Sequence, residues 1–296
     1  MVRWSRVAPQ LALTPAVAIT LVAFIGSIGW TIFMSFTKSR RFPDYAVDPA
    51  GWTAQYRRLF ANDAWTGALE NLVILAIGSA LAIVFGFILA VMVEREKFGE
   101  GVFRTIFLYP LAISLIVTGL AWRWIFNPTL GIEGFLRQHG FAGASFNWLA
   151  SPETAMYGII LASIWHGLGF YMALMLAGLK SINSEIWSAA RLDGVSFWRL
   201  YGEVIIPMMK FTFLTCAILL SLGVVKAYDI VVAMTNGGPG TSTWTPAYFA
   251  INAYSTRSNI GFASAAAVVM LSITLVIFLP LVALTSWQSR RGEAAQ

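Results

Sequence analysis

Lys226, Tyr228 and Asp229 are candidate ligand contacts because they directly follow a long apolar stretch, KFTFLTCAILLSLGVV. An ionisable group within a membrane-spanning stretch costs several kcal/mol unless it is sheltered, so such groups are candidates for function. The spacing between Lys226 and Asp229 corresponds to one helical turn, at which opposite charges can pair. A structural ion pair and a contact with a polar ligand both fit this spacing.

Motifs for catalysis or nucleotide binding are absent from the sequence. It contains no GxxxxGK[ST] phosphate loop, HExxH, GxSxG or DxDxDG. The glycine-rich stretch NGGPGTST (236–243) has no lysine, and we predict a turn there. His139 and His166 are the only histidines and Cys216 is the only cysteine, so neither a histidine cluster nor an internal disulfide can form. We predict that this chain alone is not an enzyme and holds no metal or cofactor.

The composition is that of a membrane protein. Of 296 residues, 58% are hydrophobic and only 11% are charged, with a mean hydropathy of +0.71. A water-soluble globule could not bury that much apolar surface, so lipid must cover part of it. The net charge is +6, but the basic residues cluster at the ends of apolar runs. Anionic lipid headgroups explain them better than nucleic acid does.

Six apolar windows are long enough to cross a bilayer as helices. This predicts an all-α, polytopic membrane protein with about six transmembrane helices in a single domain, residues 1–296. We interpret the first apolar run as an uncleaved span, and Glu70 with Asn71 as a cap at the start of the second. The counts of Lys and Arg in the loops do not decide the orientation. The predicted spans are 11–36, 70–93, 105–126, 155–179, 206–233 and 262–287.

The charged segment 181–207, SINSEIWSAARLDGVSFWRLYGEVIIP, interrupts the apolar pattern. Asn183 or Ser184 can cap a short helix, and Gly194 can end it in the left-handed conformation. Ser196 can then cap a second short helix. The first helix carries a face of small side chains with charges beside it, which suits a docking surface for another protein. An interfacial helix lying on lipid headgroups fits the same pattern.

This segment resembles the motif of ABC-importer permease subunits, written EAA, three residues, G, nine residues, I, one residue, LP. Here Ser188-Ala189-Ala190 is followed by Gly194 and then by Val204, Ile206 and Pro207, at the same spacing. Ser188 stands where the family usually has glutamate. A later block resembles carbohydrate-importer permeases of the maltose type. Its matching residues are Tyr228-Asp229, Thr235 with Gly237-Gly238-Pro239, and Gly261 to Ala265.

The resemblance implies a type I ABC-importer permease fold in the bacterial inner membrane, with both termini cytoplasmic. It implies that the segment contains a coupling helix, held in a groove of a cytoplasmic ATPase. The implied partners are a homologous permease, two ATP-binding subunits that bind ATP and Mg²⁺, a periplasmic or lipid-anchored substrate-binding protein, and membrane lipid. The coupling residues expected from the motif are Glu185, Ser188, Ala189, Ala190, Asp193 and Gly194.

The resemblance also implies that the helices on either side of the coupling segment contribute to a sugar pathway. Sugars are bound by aromatic faces together with hydrogen-bonding groups. The candidate pathway residues are Trp165, His166, Tyr171, Lys226, Tyr228 and Asp229. An ABC permease for a non-sugar solute, such as a polyamine or a glycerol phosphodiester, is the nearest alternative. A secondary carrier is an alternative from a different class, and a structural scaffold is the last.

Overall fold

The protein is built from α-helices joined by turns. The computed structural model describes residues 4–96, 99–141, 143 and 145–293, with side chains described between residues 13 and 280. A 3-10 turn, Tyr109–Ala112, and a π-helical segment, Leu200–Ile205, lie between the α-helices. The α-helices are α1 (Trp4–Met34), α2 (Ala54–Phe60), α3 (Asp63–Arg95), α4 (Glu100–Leu108), α5 (Leu115–Ile125), α6 (Ile132–Gln138), α7 (Ala155–Lys180), α8 (Ser184–Leu192), α9 (Phe197–Arg199), α10 (Ile206–Met208), α11 (Lys210–Val225), α12 (Asp229–Met234), α13 (Pro246–Ser255) and α14 (Ile260–Glu293).

The chain divides into two compact units. The first consists of the chain up to Asp63 together with Phe249–Leu271. The second consists of Ala64–Tyr248 and the chain after Leu271. Most of α3 and all of the helices from α4 to α12 belong to the second unit.

Four helices in the described part of the chain are long and apolar enough to span a membrane, and the number is six if each of two bent helix pairs is counted as one span. The four are α1 from Leu13, α3, α7, and α14 as far as Pro280. The bent pairs are Glu100–Ala112 with Leu115–Ile125, at 96°, and Phe197–Met208 with Lys210–Val225, at 67°. The prediction of an all-α, multi-pass membrane protein with about six spans is confirmed.

The third predicted span, 105–126, is not one straight helix. Pro110 lies in the 3-10 turn that follows α4, where its missing N–H interrupts the helical hydrogen bonds. Ser114 then begins α5 as its N-cap, and its Oγ accepts a hydrogen bond from the backbone N–H of Val117 at 3.3 Å. The break therefore has a local cause in the sequence.

The fifth predicted span, 206–233, is wrong as one continuous helix. Helix α11 ends at Val225, residues 226–228 leave the helical path, and α12 begins at Asp229. Thr245 Oγ1 donates to the backbone oxygen of Ala227 at 2.6 Å and so satisfies a carbonyl within the break. This donor comes from a distant part of the chain, and therefore no apolar pattern within 206–233 could predict the break.

Glycines allow the helices of the second unit to approach closely. A Cβ at Gly169 of α7 would lie 1.8 Å from the backbone oxygen of Phe107 in α4. A Cβ at Gly119 of α5 would lie 2.5 Å from Cβ of Ala233 in α12. Where lipid replaces water, this kind of backbone approach provides much of the helix association.

We expect Gly169→Ala to destabilise the protein. The added methyl group would overlap the Phe107 carbonyl, so α4 and α7 would have to separate, and such overpacking typically costs about 1–3 kcal/mol. The apparent melting temperature of the protein in detergent, followed by circular dichroism, should fall by several degrees. Gly101→Ala is the matched control, because a Cβ at Gly101 in α4 meets no atom within 4 Å. Equal melting temperatures for the two variants would contradict the close approach.

Candidate functional site

A cavity of about 420 Å³ lies within the second unit, at the break between α11 and α12. Helices α3, α5 and α7 complete its wall. Pockets for small molecules have volumes of roughly 300–1,000 Å³, so a small solute fits here. Its apolar wall includes Leu75, Leu115, Leu220 and Ile230, and its polar groups come from Ser79, Ser163, His166, Tyr171, Lys226, Tyr228 and Asp229.

The structure places five of the six candidate pathway residues around this cavity: His166, Tyr171, Lys226, Tyr228 and Asp229. Within it, His166 Nδ1 lies 3.2 Å from Thr118 Oγ1 of α5, a hydrogen-bonding distance that orients the imidazole ring. The sixth residue, Trp165, does not line the cavity. Its ring packs edge-on against Trp122 at 6.0 Å and is 37% exposed.

Lys226 and Asp229 do not form the ion pair that their spacing suggests. The helix is broken between them, and within the described part of the chain no ion pair includes either residue. Each residue instead lines the cavity. Both charges are therefore available to polar groups of a ligand.

The stretch 235–245 forms a tightly bonded turn beside the cavity, as the sequence predicts for NGGPGTST. Asn236 and Gly237 both have positive φ, at 49° and 84°. Thr243 Oγ1 lies 2.8 Å from Thr235 Oγ1 and donates to the backbone oxygen of Gly238 at 3.0 Å. Thr243 and Thr245 are fully buried, so these hydrogen bonds are shielded from water. The turn is thus a rigid support for the broken region.

Tyr248 connects this turn to the cavity. Its hydroxyl donates to the backbone oxygen of Asn236 at 2.7 Å, and its ring lies 6.0 Å from that of Tyr228. Burial raises the pKa of the Tyr248 phenol, and the neighbouring Tyr228 adds to the shift. Tyr248 therefore remains a protonated donor at neutral pH.

The prediction that Glu70 and Asn71 cap the second span is wrong, because both residues lie inside helix α3. Helix α3 begins at Asp63, two turns earlier, so the helix extends beyond the apolar window at this end. The Asn71 side chain instead donates to the backbone oxygens of Ser242 at 2.8 Å and Trp244 at 2.9 Å. Its partners are more than 170 residues away in the chain, so the local pattern gives no signal for this role.

The segment 181–207 forms the predicted short helix, turn and second helix. Asn183 Oδ1 accepts from the backbone N–H of Glu185 at 3.0 Å and caps α8. Gly194 has a φ of +62°, and the N–H of Val195 donates to the oxygen of Ala190 at 3.1 Å, closing the end of α8. Both helix-end predictions are confirmed.

Helix α8 presents its small and charged side chains to the outside. No residue of α8 is buried; Glu185, Ser188, Ala189, Asp193 and Gly194 are exposed, and Ala190 is half-buried. Two large apolar side chains beside this face are also exposed, Leu192 at 88% and Trp198 at 83%. In the second unit this surface offers small, charged and apolar groups together.

An aromatic cluster supports α8 from beneath. Trp187 of α8 packs edge-on against Tyr201 at 6.0 Å, and Tyr201 is only 6% exposed. Tyr201 also contacts Phe197 at 4.4 Å and Phe87 of α3 at 6.3 Å. The guanidinium of Arg95, at the end of α3, lies 4.6 Å from the centre of the Phe197 ring. The cluster therefore joins α8 mechanically to a membrane-spanning helix.

The arrangement of these residues suits non-covalent binding and movement. In the described part of the chain, no three His, Cys, Asp or Glu side chains are grouped as metal ligands would be. The cavity offers aromatic rings, hydroxyls and two charges, and α8 offers an exposed surface in contact with α3 through Tyr201.

Comparison with known proteins identifies the family. Residues 82–291 match the family described as the binding-protein-dependent transport system inner membrane component. A probable ABC transporter permease of Pyrococcus horikoshii is 32% identical over 91% of this chain and 92% of its own length. The trehalose/maltose transport system permease MalF of Thermococcus litoralis is 27% identical over 95% of this chain and 94% of its own.

The fold is shared with a solved transporter. The crystal structure of a bacterial ABC transporter involved in the import of the acidic polysaccharide alginate contains a chain that superposes with a TM-score of 0.80 at 19% identity, over 97% of each chain. At that identity the likeness concerns the fold. The match over residues 82–291 shows that this chain belongs to the family of inner membrane components of binding-protein-dependent transport systems.

Proposed function

We propose that this permease subunit forms, with a homologous permease, the membrane pathway for a sugar or sugar derivative delivered by a binding protein. The observation that supports this most directly is the cavity at the break after α11. It brings together His166, Tyr171 and Tyr228 with the unpaired charges of Lys226 and Asp229. Aromatic faces bind the C–H surfaces of sugars, and the polar groups accept and donate hydrogen bonds to their hydroxyls.

The relatives support a carbohydrate substrate. The Thermococcus protein is named for trehalose and maltose, and the structural neighbour belongs to an importer of an acidic polysaccharide. In a permease for a non-sugar solute, the aromatic rings, hydroxyls and charges of the same cavity would have to bind groups other than sugar hydroxyls. The binding-protein-dependent family disfavours a self-sufficient secondary carrier and a structural scaffold.

We further propose that α8 couples this subunit to an ATPase. Its exposed Ser188 and Ala189 allow a partner's backbone to approach closely, while Glu185 and Asp193 can fix the register of docking. Leu192 and Trp198 supply the apolar contact area. Movement of α8 would reach α3 through Trp187, Tyr201 and Phe87.

This assignment has consequences for the assembly. Two partner subunits bind ATP and Mg²⁺ and hydrolyse the nucleotide, so this chain needs no cofactor of its own. Segment 181–207 and both termini face the cytoplasm. The binding protein docks on the opposite side of the inner membrane, where the loops 37–69 and 127–154 lie.

Two steps test the proposed function. The binding protein is co-purified with the complex, and mass spectrometry identifies the small molecule it carries; a saccharide is expected, whereas a polyamine or a phosphodiester would assign a different solute. The complex is then reconstituted in vesicles with labelled trehalose and maltose as first probes. Uptake should require the binding protein and ATP. Uptake driven by a proton gradient without ATP would overturn the proposal.

We expect Tyr228→Ala to raise the substrate concentration for half-maximal uptake by about tenfold. The variant removes an aromatic face from the cavity wall. It keeps the hydrogen bond at the helix break, because that bond joins Thr245 to the backbone of Ala227 and does not involve the Tyr228 side chain. The loss of one stacking contact and one hydrogen bond is worth roughly 1–2 kcal/mol. Initial uptake rates across a substrate series measure the change. Tyr254→Ala, at an exposed tyrosine that does not line the cavity, is the control, and equal KM values for the two variants would remove Tyr228 from the pathway.

A further inference from the structure

A second cavity, of about 610 Å³, lies entirely within the first unit. It is formed by the chain that follows α1, by α2 and by Asn259. Four basic side chains line it, Lys38, Arg40, Arg41 and Arg58, against the two carboxylates Asp44 and Asp48. The cavity is therefore cationic, and none of its residues lines the cavity at the α11 break.

The carboxylates are already paired with particular cations. Lys38 Nζ lies 3.7 Å from Asp44 Oδ2, and Arg58 Nη1 lies 2.9 Å from Asp48 Oδ2. Arg40 and Arg41 have no acidic partner among the described residues. Two guanidinium groups therefore remain available to an anion, and each can form paired hydrogen bonds with a carboxylate or a phosphate.

Gln55 of α2 forms a buried part of the cavity wall. Its side chain is only 3% exposed, and its Nε2 donates to Thr37 O at 2.9 Å and to Asp48 Oδ2 at 3.2 Å. Because both partners are acceptors, the amide orientation is fixed and Oε1 is the free atom. Gln55 Oε1 has no hydrogen-bond partner. Gln55 Oε1 has almost no accessible surface, so a ligand in the cavity does not reach it, and Gln55 acts by holding Asp48 and the Thr37 carbonyl in place.

We propose that this cavity is a binding site for a small anion. Arg40 and Arg41 hold the anionic group. A volume of about 610 Å³ suits a small molecule rather than a flat protein surface. A soluble acidic saccharide and the phosphoglycerol headgroup of a lipid both carry such an anionic group. The site is additional to the proposed pathway and does not depend on it.

The test uses the full chain in phosphatidylcholine nanodiscs, with glucuronate as the probe and calorimetry as the measurement. Glucuronate should bind at least tenfold more tightly than glucose, because only glucuronate carries the anion. The affinity for glucuronate should fall as ionic strength rises.

Matched variants separate specific from general charge effects. The double variant Arg40→Gln/Arg41→Gln should weaken glucuronate binding tenfold or more, and Arg40→Lys/Arg41→Lys should restore part of it. Arg57→Gln is the control on α2, because Arg57 donates to Ala50 O and does not line the cavity. Thermal unfolding of each variant verifies that it is folded.

A second arm distinguishes the source of the anion. If phosphatidylglycerol, but not phosphatidylcholine, stabilises the protein and the double variant loses this effect, the ligand is a lipid headgroup. Glucuronate binding that phosphatidylglycerol does not weaken indicates a soluble saccharide. If neither ligand binds, or if the double variant behaves like Arg57→Gln, the site does not exist as proposed.

Discussion

Gly194→Val is expected to reduce substrate uptake more than tenfold while the chain still inserts into the membrane. Gly194 has a φ of +62°, and a non-glycine residue in the left-handed region costs about 1–2 kcal/mol, more when it is β-branched. No atom lies within 4 Å of a Cβ at this position, so the effect comes from the backbone and not from a clash. To relieve the strain, the end of α8 must change direction, and its exposed face would then turn away from the proposed ATPase partner.

The measurements that test this are uptake and substrate-stimulated ATP hydrolysis in the reconstituted complex. Basal hydrolysis should continue, but substrate should no longer stimulate it, because the ATPase and the pathway are no longer joined. Gly202→Ala is the control: Gly202 lies in the same connector, a Cβ there meets no atom, and its φ is outside the positive region. Ala189→Trp should uncouple in the same way by filling the exposed small face of α8. Normal stimulation in both Gly194→Val and Ala189→Trp would refute the role of α8.

Local signals were sufficient to predict α8. Asn183 caps its start and Gly194 ends it, and both act on backbone groups within a few residues of themselves. The break before α5 also has local causes, Pro110 and Ser114. The prediction missed it because it rested on the length of the apolar window alone. Signals of this kind depend on hydrogen bonds between near neighbours, and therefore a sequence reveals them.

Some of the residues that line the cavity could be predicted from the sequence. Ser163, His166 and Gly167 line it from α7, at the spacings of three and four that place residues on one helix face. Trp165 precedes His166 by one residue, which rotates it about 100° around the helix axis to face Trp122. Trp165 was predicted as a pathway residue from its residue type alone, whereas its position around the helix axis places it outside the cavity. Helical spacing does not explain why Lys226 and Asp229 both line the cavity, since the helix is broken between them.

Contacts between distant segments could not be predicted. The carbonyl of Ala227 lies in the helix break and accepts a hydrogen bond from Thr245, at the end of the turn 235–245. Asn71 in turn fixes that turn from α3. Each step joins residues that a single sequence places far apart, so the shape of the pathway depends on contacts that no local pattern encodes.

Asn71→Leu is therefore expected to have the second large effect, a loss of both stability and affinity. Leucine has nearly the same size but donates no hydrogen bond, so the backbone oxygens of Ser242 and Trp244 lose their donor. The loss of two hydrogen bonds in a region where Trp244 is 8% exposed costs roughly 1–3 kcal/mol. The melting temperature in detergent should fall by several degrees, and the turn 235–245 should lose protection against amide hydrogen exchange.

The effect on uptake follows from the bonds that connect the turn to the cavity. A loosened turn no longer holds Thr245 against Ala227 or Tyr248 beside Tyr228, so the cavity wall at the break becomes mobile. The substrate concentration for half-maximal uptake should rise at least tenfold, whereas Glu70→Gln, at the exposed neighbouring position of α3, should leave it unchanged. A variant with lower stability but wild-type KM would show that Asn71 supports the fold alone. A rise in KM together with faster exchange in 235–245 would show that α3 positions the pathway through this one amide.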